Sequence, residues 1–233
     1  MRLLLAIAVL LVLALMTGCG ETVRGPGSKN PYREVSFDAG DNTTIVAHYY
    51  PSDADKGLVM IHGAAKSKSS YEDYAKELQD RYKVIVPDLR GHGDSEGEYK
   101  DLENHDFYDM QKDVNASVAF LRTEGVAKED VSLVGASVGA NLALMYAEDN
   151  PVDKLLLLSP GTRIRGVDIS RLSYEQPLLV QVGHYDAFSS IAVEELELNL
   201  PEARVMEYDS SAHGTDLLNH DLSAEEEFLF YLS

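Results

Sequence analysis

One cysteine, Cys19, stands among 233 residues, so the chain closes no internal disulfide. Basic side chains are scarce as well: 20 Lys and Arg against 39 Asp and Glu give a formal net charge of −19. Such a surface repels phosphate groups, which argues against a nucleic-acid partner and disfavours contact with anionic lipid headgroups. HxxxH spacing is missing and no second cysteine exists to assist, so no metal site is expected. Internal repeats are absent too, and nothing marks off a second folded domain. What remains, at 45% hydrophobic and 25% charged, is ordinary for one globular domain with a sizeable core.

The first residues read differently from the rest. Arg2 supplies a short positive region, and Leu3–Met16 is almost wholly aliphatic but too short for a comfortable membrane span. Met16-Thr17-Gly18-Cys19 then resembles a lipobox, the signal for attaching a diacylglyceryl group to cysteine. Residues 1–18 are therefore expected to be a signal peptide, Cys19 to carry lipid, and residues 19–30 to be a flexible tether containing Gly25-Pro26-Gly27-Ser28. That places the protein outside the cytoplasm, anchored to the cell membrane. An ordinary signal peptide or an uncleaved anchor is the alternative. Intact-mass measurement of the membrane form should show loss of residues 1–18 and a lipid adduct; Met1 retained without lipid would defeat the reading.

From residue 31 to 233 the pattern is strands alternating with helices. Glu34–Phe37 and Thr43–Tyr50 flank turn residues and predict a hairpin. Gly57–Ile61, Val84–Pro87, Val131–Gly135, Lys154–Ser159, Pro177–Gly183 and Arg204–Tyr208 are short strand-like runs, most of the apolar kind buried on both faces. Helical periodicity covers Ser70–Arg81, Asp106–Arg122, the stretch from Ser137 to about Asp149, Ser189–Leu198 and Ala224–Leu232. This alternation predicts an α/β fold, a mainly parallel sheet with helices on both faces, led by an antiparallel hairpin.

In such a sheet functional groups collect beyond the C-terminal ends of the strands. After Val131–Gly135 the chain reads Gly135-Ala136-Ser137-Val138-Gly139, a G-x-S-x-G turn between strand and helix that would push the Ser137 hydroxyl clear of the sheet. After Pro177–Gly183 comes Asp186, and after Arg204–Tyr208 comes His213. A serine hydroxyl needs a base to take its proton, imidazole titrates near neutrality, and a carboxylate can fix the imidazole's tautomer. Asp168 is the reserve acid. After Gly57–Ile61 comes His62-Gly63-Ala64-Ala65, whose Ala64 N–H, with that of Val138, is the candidate pair of oxyanion donors. His62 and His92 lie in turn motifs and are read as structural.

Taken together, His62-Gly63, the segment PDLRGHGDS from Pro87 to Ser95, G-x-S-x-G at Ser137, Gly183-His184-Tyr185-Asp186 and Ala212-His213-Gly214 resemble the α/β-hydrolase family. The resemblance covers nearly all of residues 31–233. It implies Ser137 as nucleophile, His213 as base, Asp186 as acid, and hydrolysis of a carboxylic ester through an acyl-enzyme without a cofactor. Serine peptidase, thioesterase and acyltransferase activities fit the same residues, and a non-catalytic binding lipoprotein is the contrasting class. Only residues 160–176 separate two strands where relatives with a lid domain insert it, so a minimal lid or none is expected. That segment carries Arg163, Arg165 and Arg171, either a solvated loop or a cationic rim for an anionic substrate.

Overall fold

A computed structural model of the protein describes residues 31–233, so the expected signal peptide, Cys19 and the expected tether lie outside the described residues. The chain opens with β1 (Arg33–Asp38) and β2 (Thr44–Tyr50), paired antiparallel in the register Arg33 to Tyr49. Their turn closes through Ala39 N–H donating to the Thr43 carbonyl at 2.9 Å. Then follow β3 (Gly57–Ile61), α1 (Glu72–Leu78), β4 (Lys83–Pro87), α2 (Asn104–Thr123), β5 (Val131–Ala136) and α3 (Val138–Asp149). The remainder is β6 (Leu155–Leu158), a hairpin of β7 (Arg163–Ile164) and β8 (Val167–Asp168), β9 (Leu178–Gly183), α4 (Ala187–Leu196), β10 (Ala203–Tyr208), α5 (Thr215–His220) and α6 (Leu222–Tyr231).

Eight strands form one sheet in the order β1-β2-β4-β3-β5-β6-β9-β10. The two pairings of β2 are antiparallel, and every pairing from β4 to β10 is parallel. Period-two alternation sorts the strand residues into two cores. Val59, Ile61, Ile85, Leu133, Leu155 and Leu157 pack with residues of α2, α3 and α4 on one face. Leu58, Met60, Val84, Val86, Leu156 and Leu158 pack with residues of α1, α5 and α6 on the other. Both faces of the central strands are thus covered, which is why β5 and β9 are buried along their whole length.

Several segments differ from their sequence reading. The helix expected over Ser70–Arg81 is a 3₁₀ turn, Lys68–Tyr71, leading into the shorter α1. Its start is held by Asp88, which accepts from the Lys68 backbone N–H at 2.7 Å and also from the Lys68 ammonium. The segment 160–176 contains the β7–β8 hairpin. And α5, a stretch to which the sequence pattern assigns no element, forms directly after Gly214, while α6 starts two residues early because Asp221 caps it, accepting from Ser223 and Ala224 N–H groups.

Candidate active site

Ser137 sits at the junction of β5 and α3 with φ 55° and ψ −121°, a conformation rare for a residue with a Cβ. Its N–H donates to the Leu158 carbonyl at 2.9 Å, tying the turn to the neighbouring strand. The flanking glycines are required by close backbone approach. A Cβ on Gly135 would lie 2.1 Å from the Gly139 carbonyl oxygen, and one on Gly139 would lie 2.4 Å from that of Ile61. So tight a turn leaves the serine side chain facing out at the head of a helix.

The side chain meets two partners carried by distant segments. His213 Nε2 lies 2.8 Å from Ser137 Oγ, and His213 Nδ1 lies 2.7 Å from Asp186 Oδ2. Asp186 heads α4 and is 8% exposed, whereas His213 stands between β10 and α5. Burial pushes the Asp186 carboxyl up, but hydrogen bonds and charge from His213, with further bonds from Ser189, outweigh it and hold it below the usual carboxylate range. The group is therefore ionised where it touches the imidazole, and the hydrogen bond it accepts favours a proton on Nδ1. That leaves the Nε2 lone pair facing the hydroxyl. Asp168, the reserve acid, lies instead in the β7–β8 hairpin, paired with Arg163.

The turn after β3 lies beside the same serine. A Cβ on Gly63 would be 3.1 Å from Ser137 Cβ. In this turn the Ala65 N–H donates to His92 Nε2 at 3.3 Å and the Lys66 N–H to the Gly63 carbonyl at 3.2 Å. The Ala64 N–H has no acceptor among the described residues. Val138, at the first position of α3, likewise has no acceptor within its own helix.

His62 and His92 brace this turn from below. The Leu89 N–H donates to His62 Nε2 at 3.0 Å, and His62 Nδ1 meets the Gly63 carbonyl at 2.8 Å. That pattern needs a neutral ring with its proton on Nδ1. Burial brings the His62 pKa down to about 4 and lowers that of His92. A histidine depressed in the folded state binds fewer protons than the unfolded chain, so stability is full above about 6.5 and drains as pH falls toward 4. Melting temperature should fall across that window, and His62→Gln should flatten the slope; parallel slopes would count against the neutral ring.

Of the three arginines, Arg163 donates to Asp168, whose carboxyl the Ser170 hydroxyl and then Arg163 hold down at about 2. Arg165 reaches the Tyr99 hydroxyl at 3.2 Å and lies over the Phe107 ring, and Arg171 is exposed. Among the described residues, none of the three forms a hydrogen bond or ion pair with Ser137 or His213. Apolar groups are nearer. The Phe188 ring stands edge-on to His213, centroids 6.3 Å apart, over Gly161, and it is exposed together with Tyr185 and Ile191. Asn141, one helical turn beyond Ser137, fixes that wall by bonding the Gly161 and Val167 carbonyls at 2.7 and 2.9 Å. Neither Phe188 nor Asn141 is marked out by a sequence pattern; only their spacing from Asp186 and Ser137 could have pointed to them.

Known proteins resemble this chain in the same regions. Uncharacterized proteins from Mycobacterium tuberculosis are 27% identical over 168 residues, which are 71% of this chain and 45% of theirs. A soluble epoxide hydrolase from a Corynebacterium species is 30% identical over 139 residues, 59% of this chain and 45% of that protein. The chain thus spans less than half the length of the curated relatives it matches. Among solved structures, an esterase from Pyrococcus furiosus superposes with a TM-score of 0.70 at 19% identity, covering 90% of this chain and 96% of the other. A hydrolase from Pseudomonas aeruginosa does so with a TM-score of 0.69 at 14% identity, covering 86% and 98%. Those likenesses establish the α/β-hydrolase fold. With residues 52–214 matching the model described as serine aminopeptidase, S33, the chain belongs to that family of hydrolases.

Proposed function

We propose that this hydrolase cleaves carboxylic esters through an acyl-enzyme on Ser137. The observation that carries the reading is the continuous line from Asp186 through His213 to the strained Ser137, at 2.7 and 2.8 Å. His213 Nε2 takes the hydroxyl proton as Ser137 Oγ attacks the ester carbonyl, and the oxyanion that forms faces the N–H groups of Ala64 and Val138. The imidazolium then gives its proton to the departing alkoxide, leaving the acyl group on Ser137. Water, deprotonated by the same nitrogen, adds to that acyl carbon; collapse releases the carboxylic acid and restores the serine.

Esters are favoured over peptides by what lines the site. An aminopeptidase needs a carboxylate beside the nucleophile to hold the substrate's ammonium group. Asp186 is taken by His213, and Asp216, close to His213 in sequence, is paired with Lys66 at 2.9 Å. The exposed edge of Tyr185, Phe188 and Ile191 suits an apolar acyl or alcohol group instead. The lipid anchor at Cys19 and the extracytoplasmic location belong to the same proposal and rest on the leader pattern alone. Wild-type protein should be labelled by a fluorophosphonate and should turn over nitrophenyl esters well ahead of aminoacyl nitroanilides. A reversed preference would assign it to peptides, and an unlabelled protein would end the serine-hydrolase reading.

A further inference from the structure

The end of β6 is bonded at once to the Ser137 turn, to the loop that carries His213 and to α4. The Leu158 carbonyl accepts the N–H of Ser137 at 2.9 Å. The next residue, Ser159, is fully buried and holds φ at +48°, a region that strains any residue bearing a Cβ. Its Oγ accepts the N–H of Gly214, the residue directly after His213, at 2.9 Å. Its carbonyl accepts from the hydroxyl of Ser189 at 3.2 Å, and that same hydroxyl oxygen lies 3.3 Å from His213 Nδ1. Ser189 is fully buried as well, one turn beyond Asp186 on α4.

We propose that Ser159 is a positioning residue that sets the place of His213 and the tautomer of its ring; this rests on the Ser137, His213 and Asp186 assignment above. Two links make the argument. Gly214 sits at φ +60° against Ala136 and Ser137, 3.5 Å from Ala136 Cβ to a Cβ built on it, so the loop carrying the base is held against the nucleophile turn. The hydrogen bond from its N–H to Ser159 fixes that approach from β6. The second link is proton accounting. A hydroxyl has one proton, and Ser189 gives its proton to the Ser159 carbonyl or to the Asp186 carboxylate, in either case away from the ring. Its oxygen can then only accept at Nδ1, as can the Asp186 carboxylate beside it. Both neighbours therefore demand a proton on Nδ1 and leave Nε2 free to take one from Ser137. A glycine at 159 would relieve the backbone strain, and serine there retains a hydroxyl with an identified acceptor role.

The test uses the full-length protein, an acetate or butyrate nitrophenyl ester and a fluorophosphonate. Ser159→Gly removes the hydroxyl while easing the backbone, so melting temperature should hold while kcat drops about 10-fold or more with KM within about twofold, the pattern of lost transition-state positioning. Ser189→Ala should lower kcat about fivefold and shift the acid limb of the kcat/KM profile, and the double variant should lose less than the product of the two. Active-site titration separates this from damage to the fold, which would cut the titre and not the rate per site. If Ser159→Gly does not fold, Ser159→Ala is judged by the same criteria. Labelled wild type with Ser159 and Ser189 variants at wild-type kcat overturns the positioning role alone. Wild type that is not labelled overturns the assignment of Ser137 beneath it.

Discussion

Ser137→Ala is expected to abolish ester hydrolysis, with kcat falling by about 10⁶-fold, because no other nucleophile stands at the β5–α3 turn. Substrate affinity should change little, since the hydroxyl makes its bond to carbon only as the reaction proceeds. The fold should survive. Alanine keeps the Cβ that already sits at φ 55°, and the links that hold the turn are backbone ones: Ser137 N–H to the Leu158 carbonyl, and Ala140 N–H to the Ser137 carbonyl, both at 2.9 Å. Removing Oγ leaves His213 Nε2 without its 2.8 Å neighbour in a part-buried setting open to water, which costs little. The residual rate should come from the oxyanion donors and binding. Steady-state turnover with a nitrophenyl ester, alongside a melting curve, decides the matter. A variant that melts normally yet keeps more than a hundredth of wild-type kcat would place the nucleophile elsewhere.

Asp186→Asn should cost nearly as much, about 10⁴-fold in kcat, equivalent to about 5 kcal/mol of transition-state stabilisation. The asparagine is the right size for the 2.7 Å contact with His213 Nδ1 but can present an amide N–H there. The ring then takes its proton on Nε2, pointing a donor at Ser137 where an acceptor is needed, and no charge remains to stabilise the imidazolium. Stability has its own sign. A carboxyl held below its ordinary value adds stability above the unfolded pKa and loses it as pH falls through the folded one. Wild type should therefore shed this contribution only in strong acid, and Asp186→Asn should lack it at neutral pH. The control is Asp168→Asn, which weakens the exposed pair with Arg163 and the bonds from Ser170 within the β7–β8 hairpin and should leave kcat within about threefold. Large loss in the control with activity kept in Asp186→Asn would exchange the two acids.

The strand ends were legible because apolar runs such as Leu155–Leu158 and Leu178–Gly183 announce burial on both faces, and the residues that follow them are few. Ser137, Asp186 and His213 could be picked out as residues that each follow a strand. The parts that stayed hidden are tertiary. A two-residue strand like Arg163–Ile164 has no periodicity, so the hairpin in segment 160–176, and with it the partner of Arg163, could not be read from local sequence. Six residues of α5 are too short for an apolar stripe and form because Leu217 and Leu218 pack against the sheet. Ser159 and Ser189 carry no local mark at all. Serine is common, and what singles these two out is a positive φ at Ser159 and, for Ser159 and Ser189 in turn, hydrogen bonds to segments 55 and 24 residues away.

The sheet order also decides which part of the site is most easily lost. Ser137 follows β5, which has a hydrogen-bonded neighbour on each side, whereas His213 follows β10, an edge strand that among the described residues pairs with β9 alone and has five of its six residues not fully buried. Fluctuations that open a folded protein begin where packing is thinnest. When this edge lifts, the histidine swings away while the serine stays locked in the central strands. Activity is therefore expected to be lost on warming as this edge frays, before the fold collapses as a whole.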